Sequence, residues 1–166
     1  MKTIDHYVIG IDPGKKGGLC LMMNQTILHT SPIPDLHRDL YEKLLDWKET
    51  AVSAALDPVV YLEVVHASPQ MGVSSAFTFG KGFGLLLGLL TALEFRLELV
   101  SPQRWQKLYG VKPRSKCLSN TEHKNLLKSV AQRLFPKLTI THAIADAILI
   151  AEYGRRMELG NQAQHR

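Results

Sequence analysis

Three acidic residues lie in stretches of the chain that are otherwise apolar. Asp12 lies in YVIGIDPG, Glu63 in VVYLEV and Asp146 in HAIADAILIAEY. A carboxylate in such surroundings loses its hydration, so it is normally neutralised, hydrogen-bonded or bound to a cation. One such acid alone would be interpreted as a structural carboxylate. Three of them favour acids that converge to hold a divalent metal ion.

The positions of these acids depend on the strands and helices that carry them. Apolar runs bounded by turn residues predict strands at residues 7–12, 17–23, 26–30, 59–65 and 97–100. Apolar residues at helical spacing predict helices at residues 35–56, 73–95, 103–109, 121–135 and 141–157. Ser101, Thr121 and Thr141 are the predicted N-caps of the last three helices. This order predicts an α/β domain with a five-stranded mixed sheet flanked by helices.

Two pairs of acidic or histidine residues are expected to point toward one common site. If the first and fourth strands are neighbours, their spacing of about 4.8 Å puts Asp12 and Glu63 side by side. Carboxylates that close repel, so one takes a proton unless a cation such as Mg²⁺ keeps both ionised. His142 and Asp146 are four residues apart, which puts them on one helical face. Such a site suits phosphodiester chemistry with two metal ions about 3.5 to 4 Å apart.

The composition fits a single domain with a polyanionic partner. At 166 residues the chain is close to the commonest domain size. We expect one domain at residues 1–158 and a polar C-terminal tail, frayed at its end, at residues 159–166. The 20 Lys and Arg residues exceed the 15 Asp and Glu residues, and the formal charge of +5 favours nucleic acid.

Cysteine usage and the N-terminal sequence predict a cytoplasmic protein. Cys20 and Cys117 are far apart and lack partners at metal-ligand spacing, so neither a disulfide framework nor a zinc site is expected. The N-terminus lacks the pattern of a signal peptide. The longest apolar run, at residues 83–93, is shorter than the about 20 residues that span a bilayer, so no membrane association is expected.

Several segments in order along the chain resemble the RuvC-type Holliday junction resolvases, which belong to the ribonuclease H-like superfamily. They are IGIDPGKKGGL at residues 9–19, YLEVVHASPQMGVSSAFTFGKGFGLLLGLLTAL at 61–93, VSPQRWQKLYG at 100–110 and ADAILIA at 145–151. The resemblance implies a ribonuclease H-like fold and an endonuclease of DNA recombination and repair. It would resolve four-way junctions by paired symmetrical nicks, with Mg²⁺ as cofactor and Mn²⁺ able to substitute.

By the same resemblance, Asp12, Glu63 and Asp146 are metal ligands. The family places a further acid or His three residues before the last Asp, where this chain has Ala143. The nearest candidate is His142, which is expected to act near the metal. As a neutral imidazole it could bind the ion, and as an imidazolium it could transfer a proton or contact phosphate.

Basic residues around these acids are expected to address the substrate. The resemblance assigns a catalysis-assisting role to Lys107 and Lys124. The expected DNA-contacting residues are Lys15, Lys16, His66, Lys112, Arg114 and Lys116. His66 could reach unstacked bases, whereas core packing is expected for at least one of Phe77 and Phe79. For any single lysine, the alternative is an ordinary solvated surface charge.

Glycines at every fourth position of the helix at 73–95 leave one face nearly without side chains. They are Gly80, Gly84 and Gly88. One interpretation is tight packing against the sheet, and the other, which the resemblance implies, is a two-fold dimer interface. A homodimer matters because a four-way junction is itself nearly two-fold symmetric, so two identical sites could nick opposing strands.

Three other functions remain open from the sequence. An ATPase or sugar kinase of the actin-like superfamily also begins with an acidic strand and a hairpin, but it needs two such lobes. A ribonuclease H-like nuclease could instead act on flaps, forks or RNA/DNA hybrids. A non-catalytic protein that binds branched DNA is the third, because the expected fourth ligand is absent from its usual position.

Overall fold

Five strands form one mixed sheet in the order β3-β2-β1-β4-β5. The structure is a computed structural model that describes residues 6–64 and 71–164. The strands are β1 (Tyr7–Asp12), β2 (Gly18–Met23), β3 (Thr26–Pro32), β4 (Val59–Glu63) and β5 (Arg96–Val100). The hairpins β1-β2 and β2-β3 are antiparallel, whereas β4 is parallel to both β1 and β5. The predicted five-stranded mixed sheet is therefore confirmed.

Helices cover both faces of this sheet. They are α1 (His37–Ser53), α2 (Val73–Ala92), α3 (Pro102–Lys107), α4 (Asn120–Leu134) and α5 (His142–Gln164), with a 3-10 turn at Arg114–Lys116. One buried cluster joins the sheet to α3, α4 and α5. A second cluster, on the opposite face, joins it to α1 and α2. Strand β4 is buried along its whole length between β1 and β5, as its continuous apolar run predicts.

Helix α5 packs against the first hairpin with almost no space between the backbones. A methyl group built on Gly10 of β1 would lie 2.2 Å from the Ala147 carbonyl oxygen, and one on Gly18 of β2 would lie 2.3 Å from the Ala143 carbonyl oxygen. Both neighbouring atoms are backbone, so they cannot rotate away. The absence of side chains at these two positions thus determines how closely α5 approaches the strands that flank Asp12.

Several predicted helix ends and one predicted cap are wrong. Helix α5 continues to Gln164, whereas it was expected to end near Met157. Helices α1 and α2 end at Ser53 and Ala92, each three residues earlier than expected. The N-cap of α4 is Ser119, whose Oγ accepts a hydrogen bond from the Glu122 backbone N–H at 3.1 Å, and not Thr121.

Most of helix α2 is exposed although it is strongly apolar. Only Leu86 and Leu90 of this helix are buried, and Phe77 is 73% exposed. Within the described part of the chain nothing lies within 4 Å of a methyl group built on Gly80, Gly84 or Gly88. Tight packing of these glycines against the sheet is therefore contradicted. By length and composition alone α2 could also cross a membrane, which the shorter apolar run at 83–93 did not predict.

The two phenylalanines near the start of α2 lie in different surroundings. Phe79 is half-buried and stacks on Phe83, with ring centroids 6.3 Å apart. Phe77, in contrast, projects into solvent. The difference fits their spacing, since residues two apart on a helix do not share a face.

Candidate metal and nucleic-acid site

Asp12 and Glu63 meet at the carboxyl ends of two neighbouring strands. The parallel register pairs Ile11 with Leu62, so the next residues on β1 and β4 are the two acids. The two side chains lie close enough to shift each other's pKa. Glu63 is only 7% exposed. The predicted adjacency of these two acids is thus present in the structure.

Asp146 on α5 is the third acid of this site. Its carboxylate interacts electrostatically with both Asp12 and Glu63. Burial raises the pKa of Asp146 to about 7, and the charge of Asp12 adds to the rise while the Lys124 ammonium opposes it. The close approach of α5 to the hairpin brings this side chain to the ends of β1 and β4.

The pKa values of Asp12 and Glu63 are both raised, and burial is the main cause. For Asp12, the Lys124 ammonium and the hydrogen bond with Glu63 oppose the rise. For Glu63, the charges of Asp12 and Asp146 reinforce it, and a hydrogen bond from Trp105 opposes it. Three desolvated acids that destabilise one another's ionised forms are the arrangement that a cation relieves.

Trp105 on α3 is the direct hydrogen-bond donor to Glu63. Its Nε1–H donates to Glu63 Oε1 at 2.8 Å, and the indole is fully buried. The segment VSPQRWQKLYG was noted in the sequence, but Trp105 was not predicted as a site residue. A single tryptophan in an amphipathic segment is typical of core packing, so only the fold identifies its partner.

A cleft beside the acids is lined by basic and polar side chains. Glu63 and Asp146 lie in it together with Lys107, Lys124, Lys112 and Arg114. Lys124 interacts electrostatically with Asp12 and Asp146. The structure therefore brings Lys107 and Lys124, the two lysines predicted to assist catalysis, to the same cleft as the acids.

Two of the basic residues at the rim of the cleft already have partners. Lys112 Nζ lies 2.5 Å from Glu122 Oε1, and Arg114 Nε donates to Asn120 Oδ1 at 2.6 Å. Lys116 is exposed in the same 3-10 turn as Arg114. Both contacts lie at the surface, where water competes for the same groups and weakens the interaction. A phosphate could therefore displace either partner at small cost.

The remaining predicted residues lie in varied places. Lys15 and Lys16 are exposed in the turn between β1 and β2. His142 is exposed at the start of α5, and its Nε2 lies 2.8 Å from Asn125 Oδ1 on α4. Its role near the metal stays a prediction. His66 lies outside the described residues.

His123 on α4 is a cleft residue that the sequence did not indicate. It is buried, it lines the cleft beside Lys124, and within residues 6–64 and 71–164 its Nε2 has no hydrogen-bond partner. Burial lowers its pKa, and the Arg114 guanidinium acts in the same direction. A histidine on one face of an amphipathic helix gives no sequence signal that distinguishes a cleft position from a core position.

The donor chemistry of the three acids fits a hard divalent cation. Carboxylate oxygens are the ligands of Mg²⁺ and Mn²⁺, and the raised pKa values of Asp12 and Glu63 show that a positive charge is favoured between them. As the side chains stand, no three His, Cys, Asp or Glu residues in the described ranges are grouped closely enough to hold an ion together. Asp12, Glu63 and Asp146 are the residues that would hold it.

The five-stranded mixed sheet with helices on both faces has a ribonuclease H-like fold. Within that class the chain is similar to RuvC from Thermus thermophilus. It is 16% identical to "RuvC in complex with Holliday junction substrate", with a TM-score of 0.61, and the match covers 93% of this chain and 96% of the other. A second RuvC structure from that organism has 16% identity, a TM-score of 0.58 and the same coverage.

These comparisons confirm the fold class and the RuvC-type resemblance at the level of structure. In sequence, no protein-family model and no curated protein matches the chain. At 16% identity the similarity establishes the fold alone. The chemistry of the site depends on the residues that line the cleft.

Proposed function

We propose that this protein is a divalent-metal-dependent, structure-selective endonuclease that resolves Holliday junctions by paired symmetrical nicks. The observation that carries the proposal is the convergence of Asp12, Glu63 and Asp146 beside a cleft that Lys107, Lys124, Lys112 and Arg114 also line. The fold it shares with a RuvC that was solved with a junction substrate supports the choice of substrate.

Each group in the cleft has a distinct part in this proposal. A bound divalent cation supplies Lewis-acid activation of water and charge neutralisation at the phosphate. Asp12, Glu63 and Asp146 would hold it. Lys124, which interacts electrostatically with Asp12 and Asp146, would stabilise charge on the scissile phosphate.

The wider cleft would hold the DNA backbone. Lys112, Arg114 and Lys116 lie on the segment between α3 and α4, so they can contact phosphates on one side of the reacting group. Such contacts release counterions, and binding should therefore weaken steeply as the salt concentration rises. Lys15 and Lys16, exposed in the turn after Asp12, are proposed to contact the DNA from the other direction.

A second copy of the chain is the proposed partner of the exposed face of α2. Its glycines meet nothing within 4 Å in the described chain, so another helix could approach closely there. A bilayer is a poor alternative cover because Lys81 lies near the middle of α2, where a bilayer-centre charge costs about 2.5 to 3.5 kcal/mol. The resulting homodimer would present two sites to one junction.

The decisive experiment compares substrates and variants under matched salt. A four-way junction, a fork, a flap and an RNA/DNA hybrid are each incubated with the protein and Mg²⁺, and the cut positions are mapped on both strands. We expect symmetrical nicks in the junction, abolished in Asp12→Asn and Glu63→Gln while junction binding persists. Junction binding without any cleavage would instead indicate a non-catalytic binding protein, and preferred cleavage of the fork, flap or hybrid would change the substrate class.

A further inference from the structure

Trp105 differs from the acidic neighbours of Glu63 because its side chain donates a hydrogen bond and carries no charge. An indole N–H is a donor only, so it can bond to a carboxyl oxygen in either protonation state but can never ionise. Asp12 and Asp146, by contrast, are acids that repel an ionised Glu63. The 2.8 Å bond from Trp105 Nε1 to Glu63 Oε1 is therefore a contact that orients Glu63 without competing for a cation.

Trp105 is itself fixed from the side of α5. Its ring packs edge-on against Tyr109, with centroids 6.3 Å apart and an interplanar angle of 67°. The Tyr109 hydroxyl donates to the Leu149 carbonyl oxygen on α5 at 2.5 Å, and the Arg156 guanidinium lies over the Tyr109 ring at 5.8 Å. Leu149 is three residues beyond Asp146. One continuous set of contacts thus runs from the helix that carries Asp146 to the side chain of Glu63.

We infer that Trp105 is a positioning residue for the metal site. It holds the Oε1 atom of Glu63, and through Tyr109 and α5 it fixes the position of Glu63 relative to Asp146. This inference rests on the proposed metal-dependent function and adds a residue to its machinery. The alternative is that the bond only satisfies the buried indole N–H of Trp105. A backbone carbonyl would be a sufficient acceptor for that purpose. Instead the acceptor is one of the three acids of the site.

The test compares Trp105→Phe with a matched control. Phe keeps an aromatic ring but removes the N–H donor. The control is Trp47→Phe, because Trp47 is the other tryptophan of the chain, is also buried, and lies in the core cluster on the opposite face of the sheet. Both variants leave a similar cavity, so a difference between them reports the bond to Glu63.

Binding of Mn²⁺, measured by electron paramagnetic resonance in the absence of DNA, is the primary readout. We expect Trp105→Phe to weaken Mn²⁺ binding roughly 10-fold, the effect usual for loss of a hydrogen bond to a metal ligand, whereas Trp47→Phe binds as the wild type does. Junction binding without divalent metal should stay within about twofold for both variants, since phosphate contacts dominate it. Equal Mn²⁺ affinity in Trp105→Phe and wild type would overturn the positioning role alone. A wild-type protein that binds no Mn²⁺ would instead refute the proposed function.

A second measurement decides the matter if Trp105→Phe does not fold. The Trp47→Phe protein has Trp105 as its single tryptophan. We expect its emission to change on addition of Mg²⁺, over the same concentration range as cleavage activity, because the carboxylate that accepts from the indole acquires a cation. Activation by Mg²⁺ with no change in Trp105 emission would show that the indole does not report on the metal site, and would overturn the inference.

Discussion

At the scale of single residues, the three acids lower the stability of the metal-free protein when they are ionised. Asp12, Glu63 and Asp146 each have a raised pKa because burial removes their hydration. An acid whose pKa is higher in the folded than in the unfolded state stabilises the fold below its unfolded pKa. That contribution is lost as the pH rises through the folded pKa. The proposed metal-binding function is therefore opposed to the stability of the metal-free protein at this site.

Asp146→Asn should stabilise the metal-free protein at alkaline pH. The pKa of Asp146 is raised from 3.8 to about 7, so its ionisation costs stability across that window and the cost is complete above it. We expect the free energy of unfolding in urea at pH 8 to rise on the order of 2 kcal/mol, with little change at pH 4. Asp46→Asn, an exposed position on α1, is the control. A loss of stability at pH 8 would contradict the expectation.

At the scale of elements, the seating of α5 on the β1-β2 hairpin decides whether the third acid reaches the other two. Gly10 and Gly18 allow the helix backbone to lie against the strands. Trp105 of α3 and Tyr109, two residues beyond that helix, then connect β4 to α5. The site therefore depends on the close packing of these elements, and small shifts of α5 should displace Asp146.

Gly10→Ala should destabilise the fold and impair the site together. Its new methyl group would lie 2.2 Å from the Ala147 carbonyl oxygen and 2.4 Å from the Ala151 backbone nitrogen, so α5 must move. We expect the free energy of unfolding to fall by about 1 to 3 kcal/mol, as for other overpacked cores. Mn²⁺ binding should weaken as well.

Gly160→Ala is the corresponding control, because Gly160 lies on the same helix with open space around it. Alanine there should raise stability by up to about 1 kcal/mol through helix propensity. If both substitutions had the same effect on unfolding and on Mn²⁺ binding, close packing at Gly10 would not be what places α5.

At the scale of the whole molecule, the two faces of the sheet have different surroundings. The face covered by α3, α4 and α5 carries the acids at its end and opens into the basic cleft. The other face is covered by α1 and by α2, whose outer side remains apolar and exposed. Together with the proposed two-fold symmetric substrate, a surface of that kind favours the proposed symmetric dimer.

Gly84→Glu should convert the proposed dimer to a monomer without unfolding it. Nothing in the described chain lies within 4 Å of a methyl group at this position, so a side chain there strains no intramolecular contact. In light scattering we expect a halved mass with an unchanged circular dichroism spectrum, together with loss of paired nicking. Gly82→Glu is the control, since Gly82 is equally open but two residues away on the helix and so on another face. A wild-type monomer, or equal effects of the two variants, would contradict a dimer through this face.

The sequence alone determined the sheet and the identity of the acids. Alternating and continuous apolar runs have periods that distinguish strands from helices, so the five strands and the order of the elements followed from local pattern. The same reasoning marked Asp12, Glu63 and Asp146, because a carboxylate in an apolar run is costly wherever that run packs. Helix ends were less certain, as the extension of α5 to Gln164 shows.

The tertiary structure alone decided which distant side chains meet. The bond from Trp105 to Glu63 joins residues 42 positions apart, and no local pattern distinguishes a buried tryptophan with this partner from any other. In sequence, the glycines of α2 are equally compatible with packing inside the chain and with an exposed face. Only the structure shows that the sheet does not contact them. Local periodicity encodes which face of an element is apolar, whereas its neighbours depend on how all the elements pack at once.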